Sequence, residues 1–167
     1  MAIVNKRLGH AILVLNYWKR GEITSALSAL NMINDPSVIM DVFSATFSDG
    51  FSLEQVTLDH AVIILPLALG LIKSKYECYV QVGMRTTENI IKKFAEGIKA
   101  AREVPLFGGV DLAREERLKK GDACLDQFRV VFNDPIMKKI ANKPGDIGKS
   151  ARRLMTNLEY SLKSCDR

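Results

Sequence analysis

Cysteine and histidine are scarce, and their scarcity excludes chemistry. Cys78, Cys124 and Cys165 are an odd number of thiols with no C-x-x-C pair among them. That argues against a disulfide scaffold and for a reducing compartment such as cytoplasm or nucleus. His10 and His60 are the only histidines, so a His-based metal site has almost no ligands to draw on. No Ser–His–Asp or Cys–His set can be built from them, so no catalytic residue is assigned and no enzyme, metal or cofactor is expected. Five Pro and eleven Gly in 167 residues leave little room for a linker or a fibrous repeat. Long apolar runs are missing as well. The longest, Ala61 to Ile72, rises only about 18 Å as a helix, against the roughly 30 Å of a bilayer core. No membrane span and no signal peptide are expected.

What remains is globular: 47% hydrophobic and 26% charged residues, enough for one domain over 1–167. Helical spacing recurs almost throughout. Leu8, Ile12, Leu15 and Trp18 fall three to four apart and predict an amphipathic helix over 2–19, broken by Gly21. Ile23, Ala26, Leu27 and Leu30 share one face of a short second helix over 22–32. Asp35-Pro36 starts a third, which carries Val38, Ile39, Val42, Phe43 and Phe47 and ends near 48–50. Ser52 with Gln55 resembles a capping box, which opens a fourth helix over 52–72. Its second half is apolar all round and marks the buried centre, with Pro66 expected to kink it.

The strongest periodicity follows. Tyr76, Val80, Gly83, Thr87, Ile90 or Ile91, Phe94, Ile98 and Ala101 keep helical spacing and predict one long helix over 74–102. VPLFGG at 104–109 reads as a loop. Asp111 caps a sixth helix over 111–132, with Leu118, Leu125, Phe128 and Phe132 inward. Asn133-Asp134-Pro135 is a break and restart, and NKPGD at 142–146 is another loop. Ile147, Ala151, Leu154, Leu158 and Leu162 define the last helix. No window alternates long enough to make a sheet. The expected fold is all-α, with six to eight helices in a helical-repeat-like bundle around one long central helix. The repeat likeness is one of shape, since no repeat period is present.

Several motifs dissolve on inspection. G-D-I-G-K-S at 145–150 lacks the upstream Gly of a phosphate loop, because position 143 is Lys, and no strand precedes it. Glu115 and Glu116 are adjacent and point about 100° apart on a helix, a poor geometry for paired acid–base work. His60 reads as a satisfied core or rim histidine, and Cys78 and Cys124 as small apolar packing groups. Charge is more suggestive. Of the net +5, residues 138–153 hold most of the excess: Lys138, Lys139, Lys143, Lys149, Arg152 and Arg153 oppose only Asp146. Such a cluster suits an acidic polymer or is simply a solvated helix face, and charge alone leaves both open. Aromatics are not interleaved with these cations, so base stacking is unsupported.

Two segments point further. SKYECYVQVG (74–83) and GVDLAREERLKK (109–120) resemble the C-terminal domain of the katanin regulatory subunit, as do GEITSAL (21–27) after Trp18 and INDPSVIMDVF (33–43). The resemblance spans roughly residues 8–160. In that family the full subunit carries a β-propeller ahead of this domain. No propeller strands occur in this chain, so an excised domain or, by preference, a propeller-lacking regulatory-subunit-like member is expected. The resemblance implies a non-catalytic adaptor that binds the N-terminal helical domain of the katanin ATPase subunit. It further implies docking on microtubules and on peptides of spindle-pole or minus-end proteins, to recruit and tune severing. Location would then be the cytoplasm and cytoskeleton, the spindle poles and the nucleus.

Site residues follow from the same resemblance. Tyr79 matches a peptide-contacting position, and Lys120 is carried over as a peptide-contacting cation with Arg117 as its neighbour. Arg114, Arg117 and Lys120, spaced by three, line one face of the sixth helix. For the ATPase-subunit interface the apolar surface of the first helices is favoured, with Tyr17, Ile23 and Leu27. On charge alone, and not from the resemblance, Lys138, Lys139, Lys149, Arg152 and Arg153 are the expected contacts to an acidic microtubule surface. The alternative is a polyanion-binding module, for microtubule or nucleic acid, acting through 138–153 alone.

Overall fold

Asn34, Asp35 and Pro36 show how tightly this chain punctuates its helices. Asn34 takes the left-handed conformation (φ 48°) that closes one helix. Asp35 accepts from the Ser37 N–H at 2.9 Å to open the next, and Pro36 fills the first turn, where no N–H is needed. Asp134-Pro135 repeats the device, with Asp134 accepting from the Ile136 N–H at 3.0 Å. Gly21 (φ 78°) turns the chain after the first helix, as expected from its freedom to adopt positive φ.

The computed structural model describes residues 1–48, 53–104 and 111–165. Among the described residues there are eight helices and no strand: α1 (Ala2–Lys19), α2 (Ile23–Ile33), α3 (Pro36–Phe47), α4 (Leu58–Ile72), α5 (Glu77–Glu103), α6 (Leu112–Asn133), α7 (Pro135–Ala141) and α8 (Gly145–Cys165). The all-α expectation stands, and the long central helix is α5, which packs against α3, α4, α6 and α8. The hairpin-like trio α1–α3 sits at one side, and α7 rides on α8. The loop expected at 104–109 lies outside the described residues apart from Val104, which closes α5.

The expected stripes of α2, α3 and α8 are buried throughout, and in α5 Val80, Gly83, Thr87, Ile90, Ile91 and Ile98 are buried while Phe94 and Ala101 are half-buried. Trp18, Phe43 and Phe47 stack edge to face beneath α1 and α3, with centroids 5.7 and 5.3 Å apart. Three details differ. Tyr76, expected at the head of the α5 stripe, is exposed because it caps that helix instead of packing in it. Cys78 is exposed too, while Cys124 is buried among apolar neighbours that push its thiol up to about 12. The fourth helix begins at Leu58, not at residue 52; Ser52 lies outside the described residues and Gln55 stands in a turn ahead of the helix.

Thr57 and His60 take the capping role instead. The Thr57 N–H donates to His60 Nδ1 at 3.1 Å, and His60 Nε2 faces Thr24 Oγ1 of α2 at 3.0 Å. Nδ1 must therefore be unprotonated. Partial burial holds the imidazole pKa below its ordinary 6.5, with Asp59 opposing in part. Because the folded value is depressed, this stabilisation is complete above the unfolded pKa and is lost as pH falls through the folded one.

α4 runs unbroken through Pro66 and approaches α5 backbone to backbone. A Cβ on Gly83 would stand 2.6 Å from the Ala68 carbonyl oxygen and 2.9 Å from Ile72 Cγ1. Only glycine lets the two backbones meet there.

Gly83→Ala is expected to lower the urea midpoint, because overpacking costs about 1–3 kcal/mol and outweighs the roughly 1 kcal/mol helix preference for Ala. Gly97→Ala on the same helix, where a Cβ meets nothing within 4 Å, is expected to raise the midpoint. In a pH series the wild-type midpoint drops as pH falls below the ordinary imidazole value of 6.5, and His60→Gln flattens that drop, since the amide oxygen still accepts from Thr57.

Candidate docking surfaces

Helix α1 carries more apolar residues than one buried face can hold. Ala11, Val14 and Trp18 point inward. Val4, Leu8 and Ile12, which recur every four residues along one face, remain 67%, 56% and 48% exposed. Ile3 and Leu13 add exposed apolar area elsewhere on the helix. Rolling the helix to hide them would expose Val14 and Trp18, and Arg7 adds a bidentate pair with Asp41 of α3, with both contacts at 2.6 Å. Leu8 and Ile12, expected to face the core, thus form an outward stripe. The signal lay in the sequence: apolar positions occur around most of α1, so any inward face leaves others bare.

The expected interface residues of the first helices divide. Tyr17 is half-buried, with the Arg20 guanidinium 5.0 Å from its ring centroid. Ile23 and Leu27 are 2% and 0% exposed. They offer no side chain to a partner, because the α2 face on which they lie is already covered by α1, α3 and α4.

Tyr79 and Lys120 are not brought together. Tyr79 lies in the first turn of α5, half-buried, with its ring 5.4 Å from that of Tyr76. Lys120 belongs to α6 and pairs with Asp59 at the start of α4 (2.8 Å) and with Glu116 (3.2 Å), which raises its pKa. Leu58 of α4 faces Phe94 and Gly97, so the Lys120 pair lies beside the far half of α5. That is about 25 Å along the helix from Tyr79. Arg117 is exposed and borders an apolar groove of about 220 Å³ between α5 and α6, beside Phe94, Ile98 and Leu118.

The basic stretch divides as well. Arg153 bonds Glu88 of α5 at 3.1 Å, Arg152 donates to the Ala141 carbonyl at the end of α7, and Lys149 pairs with Asp146 at 3.5 Å. These three fasten or border α8. Lys138 and Lys139 are exposed, and no carboxylate among the described residues pairs with them. Sequence spacing missed their neighbours in space: Lys73 and Lys75, from the α4–α5 turn, lie across from Lys139. Among the described residues no helix is long and apolar enough to cross a membrane, and no three acidic, His or Cys side chains gather as metal ligands would.

Residues 1–158 match the family model described as the con80 domain of katanin. The chain is 32% identical over 160 residues to the katanin p80 WD40 repeat-containing subunit B1 of Xenopus tropicalis, covering 94% of this chain and 24% of that protein. The same subunit of Danio rerio is 32% identical over 150 residues, covering 88% and 21%. KATNB1-like protein 1 of Mus musculus is 25% identical over 103 residues, covering 61% and 34%. The chain therefore spans about a quarter of the length of the WD40-bearing relatives it matches. With the family model matched from the first residue of α1's cap to the middle of α8, and an all-helical bundle over the same span, the chain belongs to the katanin con80 domain family.

Proposed function

We propose that this chain is a non-catalytic katanin adaptor that binds the N-terminal helical domain of the katanin ATPase subunit. In this role it recruits and tunes microtubule severing, and ATP chemistry belongs to the partner. The observation that carries the proposal is the exposed stripe Val4, Leu8 and Ile12 on a helix held in place by Arg7 and Asp41. A preorganised apolar helix face is suited to lie against another helical bundle. The relatives are named as subunits of katanin, which supports the choice of partner. Burying the exposed half of Leu8 and of Ile12 contributes about 1 kcal/mol each.

In the same role, Tyr79, Arg117 and Lys120 are candidate contacts for peptides of spindle-pole or minus-end proteins. Lys138 and Lys139 are candidates for the acidic microtubule surface. The site of action is then the cytoskeleton, including spindle poles. The alternative, a polyanion-binding module acting through 138–153 without the ATPase, draws less support, since Lys149, Arg152 and Arg153 have partners within the chain.

Leu8→Asp combined with Ile12→Asp is expected to weaken binding of the purified ATPase N-terminal domain by roughly a hundredfold. Helical content should be unchanged, because both side chains face water. Calorimetry at low and physiological salt should give similar wild-type affinities, as befits an apolar contact. Unchanged affinity in the double variant removes α1 from the role, and no binding by the wild type at micromolar concentration removes the role itself. Leu27→Asp reports on folding, since it places a carboxylate in the core.

A further inference from the structure

The α4–α5 turn, α7 and the start of α8 enclose a cavity of about 430 Å³ that the α1 surface does not reach. Its floor is apolar. Ile72, Val80, Ile140 and Ile147 line it, each nearly or fully buried, and half-buried Ile136 completes one wall. Its rim is basic. Lys75, Lys139 and Lys143 stand around the mouth, all exposed, and among the described residues none lies within ion-pair distance of a carboxylate. Lys73 also borders it but is neutralised by Asp134 at 2.7 Å, which leaves Glu77 as the one opposing charge on the rim.

The cavity is fixed in shape by contacts on both sides. The Lys73–Asp134 pair ties the end of α4 to the start of α7, and the same Asp134 caps α7. Across the mouth, α8 begins so close under the preceding turn that a Cβ on Gly148 would stand 1.9 Å from the Lys143 carbonyl oxygen. That close seat sets where the Lys143 backbone lies.

We propose that this cavity is a docking site for an extended acidic peptide that inserts one bulky apolar side chain between its flanking carboxylates. The anchor rests on half-buried Ile136 and on the aliphatic stems of the rim lysines, above floor residues that are themselves already packed. The three lysines, none of them paired with a carboxylate and Lys75 lying over the Tyr76 ring (5.2 Å), are spread around the mouth and match carboxylates on either side of that anchor. A compact anion such as phosphate would leave the floor empty. A flat anionic surface would meet the lysines but could not fill the cavity. The site is independent of the α1 surface and of the ATPase-subunit role built on it.

The test uses the full chain and a fluorescein-labelled synthetic peptide of glutamates around one central phenylalanine, read by fluorescence anisotropy. The peptide is expected to bind, and its alanine-centred version to bind about tenfold more weakly or worse. Lys139→Glu with Lys143→Glu is expected to weaken the phenylalanine peptide by at least about tenfold. Lys99→Glu with Lys119→Glu, the same change in net charge elsewhere, is expected to leave it within about twofold. Far-UV circular dichroism of both variants establishes that the helices are intact. Equal affinity for the two peptides overturns the proposal in favour of a bare charge patch. Equal weakening by the two lysine pairs overturns it in favour of long-range attraction. Binding to phosphatidylserine vesicles or duplex DNA with no peptide binding overturns it as well.

Discussion

The backbone contact between α4 and α5 at Gly83 governs the rest of the bundle. With the Ala68 carbonyl only 2.6 Å from where a Cβ would be, the two helices meet backbone to backbone. At that distance, side chains on either flank of the crossing are forced into the neighbouring layers. Ile64, Leu65 and Leu71 of α4 and Ile90 and Ile91 of α5 are consequently buried on both sides. This accounts for a helix as uniformly apolar as α4, which has neighbours on most of its faces and touches α2, α3, α5 and α6.

The segment 74–83 carries several of these tasks at once. Lys75 stands on the rim of the basic cavity, Val80 forms part of its floor, and Gly83 permits the crossing. Tyr79, between them, lies close to Arg7 of α1, whose charged form is held chiefly by its hydrogen bond to Asp41. Ten consecutive residues thus answer to the core, to α1 and to a surface cavity. Few substitutions satisfy three such demands together, and that gives a physical reason for so distinctive a stretch of sequence.

How far the fold could be read in advance depends on how local its causes are. The Asp35-Pro36 and Asp134-Pro135 starts were legible because cap and first turn are adjacent in the chain, so no distant contact decides them. The start of α4 was misplaced because two capping sequences compete within a few residues. The contact of His60 with Thr24, a partner on another helix, accompanies the later start. Periodicity identified α1 as a helix and its stripe correctly at Trp18 and in part at Leu15, but Leu8 and Ile12 face out. Spacing reports which residues share a side, and only the neighbouring helices decide which side is covered. Ile23 and Leu27 show the converse, an apolar face that the bundle itself consumes. The basic cluster failed for a related reason: Arg152 and Arg153 adjoin Lys149 in sequence yet turn to α7 and α5, whereas Lys73 and Lys75 are remote in sequence and lie beside Lys139 in space.

The two candidate surfaces differ in how they respond to their surroundings. The α1 stripe is apolar, so its attraction for a partner depends on area removed from water and is nearly indifferent to ionic strength. The cavity at the α4–α5 turn joins an apolar floor to a ring of exposed lysines, so association there gains from long-range attraction that salt screens. Placing the two on different elements lets one contact persist while the other varies with the charge of what approaches. Phosphorylation of an acidic peptide would add negative charge opposite Lys75, Lys139 and Lys143 and strengthen the second contact without touching the first. An adaptor that must keep hold of one partner while choosing among others is well served by that separation, because affinity for the first is then no constraint on selectivity toward the rest.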